Sequence, residues 1–353
     1  LTKKSLPAAP GGQELTSFYI WKKSLENMHK DDVNALSSDA LLGTNTHANL
    51  VSWVSYKACE IKSLQQFNVS LNSLFHDNKW LLEISNKLCP ISKYLAVTRG
   101  ERRGWDPMFY PPQGHGIEEI YIRRVLKNSK CLNSLYAVAD NDAFCCSESL
   151  EALNQNGHTG ALRWISRFEH QNNRVGRPLP EVLSKRNMYW YEMKDTNTAT
   201  FVTGMNPDKR LFVAMFEEPS FVNQRLIALN LTDTSMDVNL IHALLNSILC
   251  MFYIEAIGFG RGLGVLDINS DNFKKIYMLD PSLLTPSSKS KIVDAFKPLA
   301  KREVLPASEE LVQEDRNVFD LLVLSEFGLE SYYEKIKNTL LSMQSIRSTA
   351  RDQ

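Results

Sequence analysis

Net charge is missing from this sequence: 40 Lys and Arg offset 40 Asp and Glu over 353 residues. A binder of polyanions with this balance must gather its basic residues on one face, or work inside a larger assembly. Zinc-ligand spacing is missing too. The six cysteines, Cys59, Cys89, Cys131, Cys145, Cys146 and Cys250, form no C-x-x-C pair. The Cys145–Cys146 doublet has no nearby histidine at zinc spacing. The cysteines read as free thiols of a reducing compartment, which points to a cytoplasmic protein. No apolar run is long and charge-free enough to span a membrane. The polar, Pro/Gly-rich opening LTKKSLPAAPGGQ has no signal-peptide pattern. Neither a G-x-S-x-G elbow nor a Cys/His nucleophile pair is evident. His115 and His158 lie beside glycines in predicted loops without ligand partners, so no metal is assigned to them. No internal repeat is visible.

What is present describes a folded chain. Apolar residues make up 43% and charged residues 23%, a globular and not a disordered composition. The length suits two or three domains, and a start at Leu1 in place of methionine fits a piece of something longer. Residues 1–13 read as a flexible leader. Residues 14–90 read as mainly helical, with Phe18, Ile20, Trp21, Leu25 and Met28 near helical spacing. Asp77 or Asn78 is placed to cap a helix from Lys79 that Pro90 ends. Residues 91–285 read as short strands between turn residues, among them Tyr136–Val138, Tyr189–Tyr191, Thr200–Val202, Leu211–Ala214 and Leu226–Leu229. A helix is predicted over His158–His170, followed by the polar, broken loop QNNRVGRPLPEV. The strongest predicted helix, Val238–Ala256, would reach nearly 30 Å at about 1.5 Å per residue. Residues 286–353 turn helical again, over Lys289–Phe296, Glu309–Phe327 and Leu329 to the end. The expected fold class is α+β: a mixed domain of short strands and one long central helix, flanked by helical segments.

The stretch TRGERRGWDPMFYPPQGHGIEEIYIRRVLK, residues 98–127, follows a predicted strand at Tyr94–Val97. It combines Arg99, Arg102 and Arg103 with Gly100 and Gly104 and with Trp105, Phe109 and Tyr110. Glycine permits close backbone approach, arginine offers a planar fork for phosphate or a guanine edge, and aromatics pack a loop or stack on a base. One loop carrying all three suits a nucleic-acid reader. The same residues also describe a structural turn with a packed aromatic base.

Several landmarks, in order, resemble one family. TRGERRGWDPMFY, IEEIYIRRVLK, GALRWISRFE, MYWYEM, FVNQRLIAL, IHALLNSIL, GRGLGVLDIN and MLDPSLL resemble the C-terminal target-recognition region of large adenine-specific DNA methyltransferases of bacterial restriction–modification systems. The same kind of domain occurs in the specificity subunits of type I restriction enzymes. The resemblance covers about residues 75–330. Those methyltransferases also carry an Asn/Asp-Pro-Pro-Tyr/Phe motif for the flipped adenine and a glycine-rich loop for S-adenosylmethionine. Asp106-Pro107-Met108-Phe109 lacks the second proline, and Asn206-Pro207-Asp208-Lys209 lacks both that proline and the aromatic residue. The chain therefore resembles the reading half without the chemical half. The resemblance implies double-stranded DNA as a partner, a methyltransferase catalytic domain in cis or in trans, and S-adenosylmethionine held by that partner and not by this chain.

On this reading Arg99, Arg102, Arg103, Arg123, Arg124 and Lys127 would grip phosphates or guanine edges, while Trp105 and Tyr110 shape the loop. Asn223, Gln224 and Arg225 are either base-edge contacts or polar groups that satisfy neighbouring loops. Gly260–Gly264 follows a helix and precedes a strand, so it is not a dinucleotide loop. Arg261 within it is either a backbone contact or part of a helix stop. Asn246 and Ser247 lie inside the long helix, as a DNA contact or as a buried amide bonded to a strand. Two rival functions remain. Glu181, Glu192 and Lys194 imitate the acid–lysine pattern of Mg²⁺-dependent nucleases. A protein-interaction module of a defence complex is the other.

Overall fold

A computed structural model describes residues 15–21, 51–260 and 265–349. The predicted leader and Arg261 lie outside the described residues. The fold is α+β.

The first described elements correct the helical reading of the N-terminal segment. Strand β1 (Leu15–Trp21) pairs antiparallel with β2 (Val51–Lys57), with Leu15 opposite Lys57 and Trp21 opposite Val51. The sequence LTSFYIW is rich in β-branched and aromatic residues, which suit a half-buried pleat better than a helix. Helix follows at Ala58–Gln66. The predicted start at Lys79 holds, and the Asp77 carboxylate accepts from the Lys79 amide at 3.1 Å. That helix ends at Glu83, however, and is followed by a single 3₁₀ turn over Ser85–Lys87. β3 (Leu88–Pro90) then pairs with the Tyr277–Leu279 strand.

The centre is a seven-stranded sheet: β4 (Leu95–Arg99), β5 (Ile122–Leu126), β6 (Tyr136–Ala137), β7 (Asn141–Phe144), β8 (Thr198–Gly204), β9 (Ala214–Val222) and β10 (Leu226–Leu231). Its order is β4-β10-β8-β9-β5-β7, and β6 also lies against β9. Only the β5–β9 and β6–β9 contacts are parallel. Side chains of β10 alternate between two faces. Ile227 and Leu229 enter the large core shared with the helices, while Leu226 and Ala228 enter a smaller cluster. β9 borders every packing region: Met215 belongs to the large core, Phe216 and Val222 to the smaller cluster, and Phe221 to a third.

That third cluster is a side lobe built around α1 (Thr159–Glu169), with Met108, Phe109, Tyr121, Phe144 and Trp164 inside it. The α1 start is held by the Glu118 carboxylate, which accepts from the Gly160 and Ala161 amides at 2.7 and 2.8 Å. The strand expected at Tyr189–Tyr191 is instead a turn. The Glu192 carboxylate accepts from the Tyr189 amide at 3.0 Å, and the Tyr189 and Tyr191 rings stack.

The single long helix expected over Val238–Ala256 is two helices, α2 (Val238–Leu245) and α3 (Ile248–Ile257), bent by 58°. Asn246 makes the break. Its amide nitrogen donates to the Val213 carbonyl at 2.8 Å, and its amide oxygen accepts from the Val213 N–H at 3.0 Å. The buried-amide reading of Asn246 is thus the observed one. The buried start of α3 is closed by Asp320, which accepts from the Ile248 amide at 2.8 Å. No single helix among the described residues is long and apolar enough to cross a membrane. α4 (Pro286–Phe296), α5 (Glu314–Glu326) and α6 (Tyr333–Thr349) complete the helical body. The helix expected over Glu309–Phe327 is divided, a short turn of helix at Ala307–Glu310 preceding α5.

Candidate nucleic-acid interface

Three chain segments meet at one end of the sheet: the loop leaving β4, the last residues of β5 and the turn between β9 and β10. Backbone bonds lace them together. Gly100 donates to the Leu226 carbonyl at 3.1 Å, Glu101 to Val222 at 2.9 Å, Gln224 to Glu101 at 2.9 Å and Asn223 to Leu126 at 3.1 Å. The crossing requires glycine, because a Cβ at position 100 would lie 2.2 Å from the Asn223 carbonyl oxygen.

This lacing decides which side chains reach solvent. Arg99 is exposed, and its Nε donates to the Gln224 carbonyl at 2.8 Å, which ties the side chain to the turn. Arg102 and Arg225 are exposed and Gln224 is half-buried. Among the described residues no carboxylate lies within ion-pair distance of Arg99, Arg102 or Arg225. Lys127 is half-buried, with its ammonium 4.8 Å from the centre of the Tyr110 ring and 4.0 Å from the Asp106 carboxylate. Beneath them, Asn223 and Tyr110 are buried and bonded to one another, the Asn223 amide donating to the phenolic oxygen. The Asn223 amide oxygen also accepts from the Arg225 N–H at 3.1 Å, fixing the turn. Burial pushes the Tyr110 phenol up to about 12, against the pull of its Asn223 bond.

Arg103 behaves unlike its neighbour. It is 5% exposed and donates to the carbonyls of Leu183, Tyr189 and Trp190 at 3.1, 3.4 and 2.7 Å. Its guanidinium also stands over the Phe109 ring. Desolvation lowers its pKa below that of a free guanidinium. This arginine pins the β4 loop to the side lobe and does not reach a surface. Trp105 is half-buried against the same lobe.

Arg123 and Arg124 lie toward the other end of β5 and are locally neutralised. Arg123 pairs with Asp195 at 2.7 Å, and Arg124 with Asp142 at 2.6 Å. Sequence reasoning missed Lys185, which donates to the Arg102 carbonyl at 3.1 Å. Its signal was compositional. Residues 172–186, NNRVGRPLPEVLSKR, hold four basic residues against one acid.

The residues of the nuclease pattern sit in different surroundings. Glu192 is buried and bonded to its own turn, while Glu181 and Lys194 are exposed. No group of three or more His, Cys, Asp or Glu among the described residues is placed to hold a metal ion.

No family model matches the chain, and no curated protein does. Among solved structures it is similar to the type IIG restriction endonuclease BpuSI, with a TM-score of 0.56 at 10% identity, over 97% of this chain and 41% of that one. The likeness is one of fold. The chain spans about two-fifths of the length of that enzyme.

Proposed function

We propose that this chain is the DNA-reading module of a restriction–modification system, recognising a short duplex sequence on behalf of an adenine-specific methyltransferase. One observation carries the proposal: exposed Arg99, Arg102 and Arg225 and half-buried Lys127 converge at one sheet end on a laced, immobile base. Guanidinium forks carried on a fixed backbone suit phosphate and base-edge contacts, because the loop beneath them is already ordered before binding. Fold likeness to a restriction endonuclease over nearly the whole chain supports the same assignment. In this proposal the bond-making domain, with its S-adenosylmethionine, lies elsewhere in the polypeptide or in a partner subunit.

The test is duplex binding as a function of salt. Each phosphate contact contributes about 0.9 to the slope of log affinity against log salt. Replacing Arg99, Arg102 or Arg225 singly with alanine should lower that slope by about one and weaken binding to all duplexes alike. Equal affinity and equal slope for wild type and for the triple alanine variant would overturn the assignment.

A further inference from the structure

A second group of basic residues stands on the side lobe, and the proposed contacts above do not use it. Residues 171–179 double back as a short hairpin ribbon closed by a single isolated bridge. Asn172 and Pro178 form a bridge, and the Leu179 amide donates to the Gln171 carbonyl at 2.8 Å. The tip, Asn173–Arg177, is fixed from within. The Asn173 side-chain oxygen accepts from the Val175 and Arg177 amides at 3.0 and 2.9 Å. The Asn173 amide donates to the Arg177 carbonyl at 2.8 Å, and Gly176 turns the chain with φ +79°.

What this rigid tip displays is unusual for a turn. Arg174 and Arg177 are exposed on either side of Val175, itself 78% exposed. No acidic residue occurs between Glu169 and Glu181. Turns ordinarily carry small polar residues, and a solvent-facing valine between two arginines does nothing for this one internally. The ribbon is also footed on the proposed DNA-contacting loop. Its base runs into the buried Leu179 and Leu183, the Leu183 carbonyl holds Arg103, and Lys185 holds the Arg102 carbonyl.

Resting on the DNA-reading assignment, we propose that this tip enters the major groove of the duplex and reads base edges there. Arg174 and Arg177 would pair with guanine O6 and N7, and the Val175 methyls would meet a thymine methyl. Dimensions choose the groove. Paired strands lie about 4.8 Å apart before their side chains are added. Such a ribbon exceeds a minor groove of about 6 Å and fits a major groove of about 12 Å. Charge chooses the partner, since two unopposed guanidinium groups on a rigid apolar tip complement a phosphate-lined groove.

The experiment selects duplexes from a randomised pool with the whole chain, as wild type and as R174A, R177A and V175S. Guanine-N7 methylation interference is then measured on the selected site. Wild type should enrich a defined sequence. Each arginine variant should lose preference for one guanine by about tenfold or more while retaining salt-dependent binding. N7 methylation of that guanine should no longer interfere in the matching variant. Wild type should weaken when deoxyuridine replaces the contacted thymine, and V175S should lose preference at that thymine and lose nothing further on the same replacement. Variants that enrich the wild-type sequence with unchanged strength, or interference confined to adenine N3 in the minor groove, would overturn the ribbon's role and leave the sheet-end contacts standing. Failure of wild type to bind any duplex would overturn both.

Discussion

Adjacent arginines with opposite fates give the most direct residue-scale prediction. Arg102→Ala should leave thermal stability nearly unchanged and reduce duplex affinity. Arg103→Ala should cost about 2–3 kcal/mol of stability in denaturant titration, because three backbone carbonyls and an aromatic face lose their partner. Equal behaviour of the two variants would refute the division of labour between them. Two buried histidines set a pH prediction. Burial pulls both His76 and His242 down to about 4 from an ordinary 6.5. The folded state favours their neutral forms more strongly than the unfolded chain does. The stability they contribute is therefore complete above about pH 6.5 and is lost as pH falls toward 4. Urea midpoints should drop across that window, and His242→Gln should flatten part of the drop. Both arginines were legible as residues, yet nothing in the sequence separated them. The distinction arises from carbonyls some 80 to 87 positions away.

Elements show where periodicity carries information and where it stops. The helix expected at His158–His170 is found at Thr159–Glu169, since its apolar spacing is satisfied by one lobe. The apolar run over residues 238–256 could not reveal its own bend, because the bend depends on the backbone of Val213 bonding to Asn246. It depends also on Asp320, which is fully buried, pairs with Arg316 at 2.7 Å and closes the α3 start. Asp320→Ala would leave Arg316 buried without its carboxylate and an amide unpaired. A loss of about 3–5 kcal/mol in stability is expected. A change under about 1 kcal/mol would show that the pair does not hold the bend. At the β4 loop, Gly100→Ala would drive a methyl group into the Asn223 carbonyl. Because the same crossing seats Arg99 and Arg225, this substitution should lower both the melting temperature and duplex affinity. R102A, by contrast, should lower affinity alone.

Across the whole molecule, the class α+β and the strands at Tyr136, Thr200–Val202 and Leu226–Leu229 were readable from turn residues and β-branched runs, whereas Leu211–Val213, expected as strand, only lead into β9 at Ala214. The pairing of Leu15–Trp21 with Val51–Lys57 was not, because each strand is completed only by a partner distant in sequence. The same holds for the basic sheet end, whose members come from segments near residues 99, 127 and 225 and are neighbours only after folding. β9 has a further consequence. One nine-residue strand touches all three packing regions through Met215, Phe216, Phe221 and Val222. Neither the side lobe nor the helical body can then melt without stripping one side of that strand. Amide deuteration should accordingly be slowest at the two buried ends of β9, Ala214–Phe216 and Phe221–Val222, with opening energies there equal to that of global unfolding, and faster at exposed Glu217 and Glu218, where the register with β8 shifts. The protein would behave as one cooperative unit, and ligation at its basic end would be felt as slower deuteration in the distant helices.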